Sequence, residues 1–135
     1  MARIIVVDDD EIVGSILSDT LIDAGHSVGW LEDGREALKV MERRPPNLAI
    51  LDQNMPQMHG RDVLRAMRSH AELVMVPVLM LTAVTGSADE QISFYEGADH
   101  YMTKPFDPQE VLFWAEELIA KKITRISAAD RILQT

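Results

Sequence analysis

Short apolar runs alternate with amphipathic helical stretches along this chain, and this alternation constrains the fold more than any other feature. The first run, Ile4–Val7, is β-branched and uninterrupted, which is typical of a strand buried on both faces of a sheet. Five strands alternating with five helices predict an α/β domain whose parallel sheet is covered on both faces. The predicted strands are Ile4–Val7, Ser27–Leu31, Leu48–Leu51, Val78–Leu81 and His100–Thr103.

The predicted helices carry their own start and stop signals. Asp10 is placed to cap the first helix and Gly25 to stop it, while Asp107 precedes the last helix with Pro108 at its first position. The other helices are predicted at about residues 35–44, 61–69 and 88–96. Apolar residues recur at helical spacing in the first helix (Ile12, Val13, Ile16, Leu17, Leu21) and in the last (Val111, Ala115, Leu118).

Length, charge and composition exclude several classes of protein. A chain of 135 residues is long enough for one domain. Its net charge of −9 argues against direct nucleic-acid binding by this domain. The absence of cysteine excludes a disulfide framework and thiol chemistry. No apolar run approaches the roughly 18 residues of a membrane helix, and the first residues predict a strand, not a signal peptide. We therefore expect a cytoplasmic protein that does not bind membranes.

Charged and polar side chains follow four of the predicted strands directly. Asp8 and Asp9 follow the first strand, Asp52 the third, Thr82 the fourth and Lys104 the fifth. Because the carboxyl ends of parallel strands meet at one edge of the sheet, we expect these residues to form one site. Three neighbouring carboxylates stay ionised most easily around a cation, and hard oxygen ligands suit Mg²⁺. A phosphoryl group on Asp52 would then lie beside the Lys104 ammonium and the Thr82 hydroxyl.

Each of these signals also has a simpler structural interpretation. An aspartate after a strand is most often a turn or cap residue, and a pair such as Asp8-Asp9 usually compensates a helix dipole. Thr82 could cap a helix, and Lys104-Pro105 could be an ordinary loop. The placement of all of them after separate strands of one pattern favours the site.

Four motifs together resemble the receiver domain of two-component response regulators, of the type found in chemotaxis regulators, over roughly residues 2–122. The resemblance implies a flavodoxin-like (βα)5 fold, a doubly wound parallel sheet with strand order 2-1-3-4-5. It also implies a receiver domain at residues 1–122 followed by a tail or linker at 123–135. The motifs are Val6-Val7-Asp8-Asp9, Leu51-Asp52-Gln53-Asn54-Met55-Pro56 with Gly60, Leu81-Thr82-Ala83 and Lys104-Pro105-Phe106.

The same resemblance assigns roles to individual residues. It implies that Asp52 accepts a phosphoryl group from a sensor histidine kinase or a histidine phosphotransfer protein. Asp8, Asp9, Asp52 and the backbone carbonyl of Asn54 are expected to hold Mg²⁺. Thr82 and Lys104 are expected to bind the phosphoryl oxygens, with a cis peptide bond between Lys104 and Pro105.

The resemblance further implies a switch. Thr82 moves inward when Asp52 is phosphorylated, and Tyr101 at the aromatic switch position follows it. The face made by the fourth helix, fifth strand and fifth helix then changes and passes the signal on.

Aromatic residues on the last two predicted helices fall away from the core faces. Phe94 lies off the apolar face of the fourth helix, while Phe113 lies opposite the core face of the fifth and Trp114 at its margin. Together with Tyr101 they predict an exposed aromatic patch, which would mark a partner or homodimer surface. The alternative is that Phe113 packs under the C-terminal tail.

Two other function classes fit the same fold. A receiver-like binding module without phosphorylation is opposed by the complete set of three aspartates, Thr82 and Lys104. An aspartyl-phosphate hydrolase needs a general acid two residues beyond its nucleophile, where this chain has Asn54, which cannot donate a proton in that role. The domain is therefore expected to catalyse only its own phosphorylation and dephosphorylation, without processing a separate metabolite.

Two features beyond the site remain open to interpretation. The resemblance implies that the position two residues after Thr82 tunes the lifetime of the phosphoryl group. Val84 at this position cannot orient an attacking water, which predicts a longer-lived phosphoryl group than an acidic residue would give. The basic tail from Ala120 is either a linker to an effector or kinase domain or the end of a stand-alone receiver.

Overall fold

The computed structural model describes residues 1–83 and 97–133 of the chain, with side chains as far as residue 122. Within those ranges five parallel strands form one sheet in the order β2-β1-β3-β4-β5, as predicted. The strands are β1 (Arg3–Val7), β2 (Ser27–Leu31), β3 (Leu48–Asp52), β4 (Val78–Thr82) and β5 (His100–Thr103). The described helices are α1 (Glu11–Asp23), α2 (Gly34–Arg43), α3 (Gly60–Arg68) and the C-terminal helix (Pro108–Leu133).

The sheet separates two apolar cores, because alternate residues of its central strands point to opposite faces. Ile5 and Val7 of β1 enter the core beneath α2 and α3, whereas Ile4 and Val6 enter the core beneath α1 and the C-terminal helix. Every residue of β3 and β4 is buried. The doubly covered parallel sheet predicted from the uninterrupted apolar runs is therefore confirmed. The fourth predicted helix, at 88–96, lies outside the described residues.

Helix α1 begins and ends as its sequence predicts, but fewer of its apolar residues are buried than the helical spacing predicted. The Asp10 carboxylate accepts hydrogen bonds from the backbone N–H groups of Ile12 and Val13, and Gly25 takes the left-handed conformation (φ +96°) after the helix. The buried face consists of Gly14, Leu17 and Leu21. Ile12 is 72% exposed and Ile16 44% exposed, so helical spacing alone overestimated the core contribution of this helix.

The C-terminal helix is capped as predicted and extends further than its core face. The Asp107 carboxylate accepts a hydrogen bond from the backbone N–H of Gln109, and Val111, Ala115 and Leu118 are buried. The helix continues to Leu133, a length of about 39 Å at 1.5 Å per residue. Residues 123–133 of the predicted tail thus continue this helix, and the division of the chain at residue 122 stays a prediction. Among the described residues, no helix combines the length and apolarity needed to cross a membrane.

A partly buried arginine binds the backbone at the amino ends of β4 and β5. The Arg68 guanidinium, at the end of α3, donates to the carbonyl oxygens of Gly97 (2.8 and 3.0 Å) and Val76 (2.8 Å). It also contacts the Asp99 carboxylate at 3.2 Å, and Asp99 in turn accepts from the backbone N–H of Val78 at 2.9 Å. Arg68 therefore ties the end of α3 to the starts of β4 and β5.

Candidate metal and phosphoryl site

The carboxyl ends of four strands bring the predicted site residues together. Carboxylate oxygens of Asp8, Asp9 and Asp52 lie within 4.8 Å of one another. The Lys104 ammonium lies 3.2 Å from Asp52 Oδ1 and 3.3 Å from Asp8 Oδ2. Asp8 and Asp52 are 1% and 2% exposed, and Thr82 is 1% exposed beside them. These five residues form one compact group, as the strand pattern predicted.

Burial sets the electrostatics of this group. Burial raises the pKa of the Asp8 carboxyl to about 6, against a hydrogen bond from the Asp10 backbone N–H that lowers it. The negative charge of Asp52 also contributes to this raised pKa, and Lys104 opposes it. Burial also lowers the pKa of the Lys104 ammonium, but the charges of Asp52 and Asp8 outweigh it, so that this pKa is raised overall. Lys104 is therefore held as a cation within an excess of negative charge.

Asn54 contributes its side chain to the site, which the sequence did not predict. Asn54 Oδ1 accepts a hydrogen bond from the backbone N–H of Ala83 (2.8 Å) and lies 3.4 Å from Thr82 Oγ1. The backbone N–H of Asn54 donates to Asp52 Oδ1 at 3.1 Å. Asn54 thus fixes the loop after β3 against the end of β4 and orients the Asp52 carboxylate.

Gly60 allows this loop to return closely to the end of β3. A Cβ atom at position 60 would lie 2.4 Å from the Asp52 carbonyl oxygen, an approach that real Cβ atoms do not make. The buried Gln53 side chain accepts a hydrogen bond from the backbone N–H of Arg61 at 2.9 Å, which anchors the start of α3 next to the site. A glycine at position 60 is therefore a packing requirement of the acidic site.

The donor set fits a small divalent cation. Three carboxylates converge at a partly enclosed edge, and two of them are buried. Mg²⁺ prefers oxygen ligands and commonly binds through a few carboxylates while it retains several waters. The Lys104 ammonium cannot neutralise three carboxylates by itself, and a divalent cation would compensate the remaining charge.

Comparison with known proteins identifies the fold and its class. The family model described as "Response regulator receiver domain" matches residues 4–115. The chain belongs to the response regulator receiver family. It is 41% identical over 109 residues to "Alkaline phosphatase synthesis transcriptional regulatory protein PhoP" of Bacillus subtilis, covering 81% of this chain and 45% of that protein. It is 38% identical over 110 residues to "DNA-binding response regulator MtrA" of Mycobacterium tuberculosis, covering 82% and 47%.

Solved structures share the architecture over most of this chain. The chemotaxis protein CheY4 of Vibrio cholerae superposes with a TM-score of 0.83 and 35% identity, covering 87% of this chain and 98% of that one. NtrX from Brucella abortus has a TM-score of 0.90 at 23% identity, covering 99% of this chain and 31% of that one, and shows the fold alone. The chain spans about half the length of the curated relatives it matches. The receiver is a signalling domain, and response regulators interact with histidine kinases.

Three of the predicted switch and interface residues, Tyr101, Phe113 and Trp114, lie on β5 or on the first turns of the C-terminal helix. Tyr101 is half-buried and packs against the core beneath α2 and α3. Trp114 is half-buried and stacks on His100, with ring centroids 3.8 Å apart. Phe113 is 55% exposed and meets Trp114 edge to face. Phe94 lies outside the described residues. The peptide bond between Lys104 and Pro105 is cis, as the resemblance implied.

Proposed function

We propose that this receiver accepts a phosphoryl group on Asp52 from a phosphohistidine of a sensor kinase or a histidine phosphotransfer protein. A carboxylate oxygen of Asp52 attacks phosphorus, the P–N bond breaks, and the imidazole leaves with the electron pair and takes up a proton. The observation that carries the proposal is the buried Asp52 carboxylate, held 3.2 Å from the Lys104 ammonium and grouped with Asp8 and Asp9. Burial protects the acyl phosphate, and the cation attracts the incoming charge.

In this proposal, Asp8, Asp9, Asp52 and the backbone carbonyl of Asn54 hold Mg²⁺. When bound, the ion offsets the negative charge that the phosphoryl group brings to three carboxylates. Lys104 pairs with a phosphoryl oxygen by exchanging part of its contact with Asp52 and Asp8. The domain catalyses its own phosphorylation and dephosphorylation in the cytoplasm, where sensor kinases obtain their phosphoryl group from ATP, and it does not process a separate metabolite.

The exposed isoleucines of α1 support docking of the phosphohistidine donor over this edge of the receiver. A donor histidine must come within bonding distance of Asp52, so its protein must cover the surface around the site. Ile12 and Ile16 lie one helical turn apart and are largely exposed. A hollow of about 500 Å³ between Ile16 and the Lys104-Pro105-Phe106 loop is mostly apolar. Apolar side chains of the donor are proposed to fill it.

Signal output is proposed through the Thr82–Tyr101 pair. Thr82 is buried at the end of β4, and its hydroxyl lies 3.4 Å from Asn54 Oδ1. A phosphoryl oxygen on Asp52 competes for this hydroxyl and draws Thr82 inward, and Tyr101 follows into the vacated space. The resulting change reaches the face that contains β5 and the first turns of the C-terminal helix.

We propose that Phe113, together with Trp114, Tyr101 and Phe94, belongs to a partner or homodimer surface. Phe113 is exposed next to Trp114, and large exposed aromatic side chains are energetically important at interfaces. Phe113→Ala is expected to weaken self-association or partner binding at least tenfold without a change in phosphorylation, by analytical ultracentrifugation of the phosphorylated protein. Unchanged association would show that Phe113 does not belong to this interaction surface.

Val84 extends the proposal to the lifetime of the phosphoryl group, although it lies outside the described residues. An aliphatic side chain two residues after Thr82 offers no hydrogen bond to an attacking water. Val84→Glu is expected to accelerate loss of the phosphoryl group, followed by intact mass after the donor is removed. A Val84→Leu variant serves as the aliphatic control, and equal rates in all three proteins would contradict the assignment.

The proposed function is tested by incubation with Mg²⁺ and acetyl phosphate, followed by intact mass spectrometry. The wild-type chain is expected to gain one phosphoryl group, and the gain should disappear in Asp52→Asn and with a chelator in place of Mg²⁺. Lys104→Met should reduce it strongly. A gain that survives Asp52→Asn, or no gain where a known receiver is modified, would refute the assignment.

A further inference from the structure

Trp30 connects β2 to the acidic site through a hydrogen bond that no feature of the sequence indicates. Its indole Nε1–H donates to the backbone carbonyl oxygen of Asp8 at 2.9 Å, across 22 residues of chain. The backbone N–H of Asp8 donates to the Leu31 carbonyl at 3.0 Å. Both polar backbone groups of Asp8 are therefore bound to β2, at the point where β1 ends and the acidic pair begins.

The indole ring occupies a place that α1 leaves open for it. A Cβ atom at Gly14 would lie 2.1 Å from Trp30 Cε2, so the ring lies directly on the helix backbone. Gly14 is buried within α1, where glycine is less favourable than alanine. The glycine at this position is accounted for by the close approach of the indole ring.

The carbonyl that Trp30 binds belongs to the peptide between Asp8 and Asp9. Rotation of this peptide would move the two carboxylates relative to each other, since each is joined to it through one Cα atom. The Asp8 carboxylate is also held by the Asp10 backbone N–H at 2.9 Å. The indole thus restrains the part of the acidic group that β1 itself does not fix.

We propose that Trp30 is a positioning residue for the divalent cation, acting through the Asp8-Asp9 peptide. The inference rests on the proposed function, because it requires that Asp8 and Asp9 hold Mg²⁺. Trp30 touches neither the metal nor the phosphoryl group. It preorganises two of the ligands, as outer hydrogen-bond partners of metal ligands commonly do. Gly14 contributes to this positioning because it leaves space for the indole ring.

Calorimetric titration with Mg²⁺ tests this role directly in the full chain. Trp30→Phe keeps an aromatic ring on Gly14 but removes the N–H donor, and it is expected to raise the Kd for Mg²⁺ about tenfold. Trp114→Phe changes the other tryptophan of the chain, which stacks on His100, and should leave the Kd within twofold of wild type. Gly14→Ala should raise the Kd as well, because its methyl group displaces the ring.

The result is interpreted together with unfolding of the metal-free proteins. A raised Kd in Trp30→Phe with metal-free unfolding close to wild type supports positioning, whereas an unchanged Kd overturns it. Failure of the wild type to bind Mg²⁺ would refute the proposed function itself. Binding by the wild type with no effect in Trp30→Phe would refute only the role of Trp30.

A spectroscopic measurement keeps the inference testable if Trp30→Phe does not fold. In Trp114→Phe, Trp30 is the sole tryptophan, so its emission reports on the indole beside Asp8. Mg²⁺ is expected to change this emission with the same Kd that calorimetry gives. Emission that stays constant through saturation would show that the indole is not coupled to the metal site.

Discussion

The charged side chains at the two ends of the sheet differ in whether their charges are balanced by partners. At the amino ends of β4 and β5, the Arg68 guanidinium is matched by the Asp99 carboxylate and by backbone carbonyl oxygens on either side. At the carboxyl ends, three carboxylates share the single positive charge of Lys104. One end is balanced within the protein, and the other has an excess of negative charge.

The balanced end is expected to contribute to folding stability, and the end with excess negative charge is expected to contribute to cation binding. A matched charge needs no further partner, and its removal leaves buried acceptors unsatisfied. An unmatched group of carboxylates costs folding free energy and is compensated only when a cation binds. We therefore expect substitutions at the amino ends to change folding and those at the carboxyl ends to change binding.

The largest expected change in stability comes from Arg68→Ala. The substitution removes a partly buried cation together with its hydrogen bonds to Asp99 and to the facing carbonyl groups, a loss of about 3 kcal/mol in unfolding free energy. Urea unfolding measures it. Arg65→Ala on the same helix is the control, because that side chain is 63% exposed and should cost less than about 0.5 kcal/mol.

Affinity for Mg²⁺ in Arg68→Ala should stay within twofold of wild type, provided that the variant is folded. A loss of stability no greater than that of Arg65→Ala would contradict the claim that the Arg68 hydrogen bonds stabilise the fold. A large loss of Mg²⁺ affinity in the folded variant would show that the two ends of the sheet are coupled.

A smaller change of opposite sign is expected for Asp8→Asn. Without metal, removal of one buried negative charge should raise the unfolding free energy by on the order of 1 kcal/mol. At 100 times the Kd, Mg²⁺ should stabilise the wild type by about 2.7 kcal/mol and the variant far less. Thermal unfolding with and without Mg²⁺ measures both effects, and the exposed Asp19→Asn variant controls for net charge. Metal-free destabilisation by Asp8→Asn would count against an excess of negative charge.

The pH dependence of stability isolates the contribution of Asp8. Burial raises the pKa of this carboxyl from 3.8 to about 6, so the folded state binds its proton more tightly than the unfolded state. The Asp8 contribution to stability is therefore present below pH 4 and is lost as the pH rises from about 4 to 6. Metal-free wild type should lose stability relative to Asp8→Asn across this window. A constant difference between the two proteins would disprove the raised pKa.

The strands, the helix caps and the grouping of the site residues could be predicted, because they depend on local sequence patterns and on where the strands end. The alternation of short strand-like segments with helical stretches located all five strands, and Asp10 and Asp107 were identified as helix caps because capping is a local property. The strand order 2-1-3-4-5 came from the family resemblance and is confirmed. Asp8, Asp9, Asp52, Thr82 and Lys104 meet because parallel strands place their carboxyl ends at one edge.

Contacts between distant side chains could not be predicted in the same way. The hydrogen bond from Trp30 to Asp8 and the pairing of Arg68 with Asp99 span 22 and 31 residues and leave no periodic signal. The exposure of Ile12 also depends on how α1 sits on the sheet, which its own sequence does not define. Such features follow from packing in three dimensions.

The central claim is that the three carboxylates bind Mg²⁺ and that Asp52 accepts a phosphoryl group. Its most direct test is a crystal structure with Mg²⁺ and beryllofluoride, a tetrahedral mimic of a phosphoryl group. We predict beryllofluoride bound to Asp52, Lys104 and Thr82 in contact with its fluorides, and Mg²⁺ held by Asp8, Asp9, Asp52 and the Asn54 carbonyl. Beryllofluoride bound elsewhere, or Mg²⁺ absent from the three carboxylates at saturating concentration, would contradict the account.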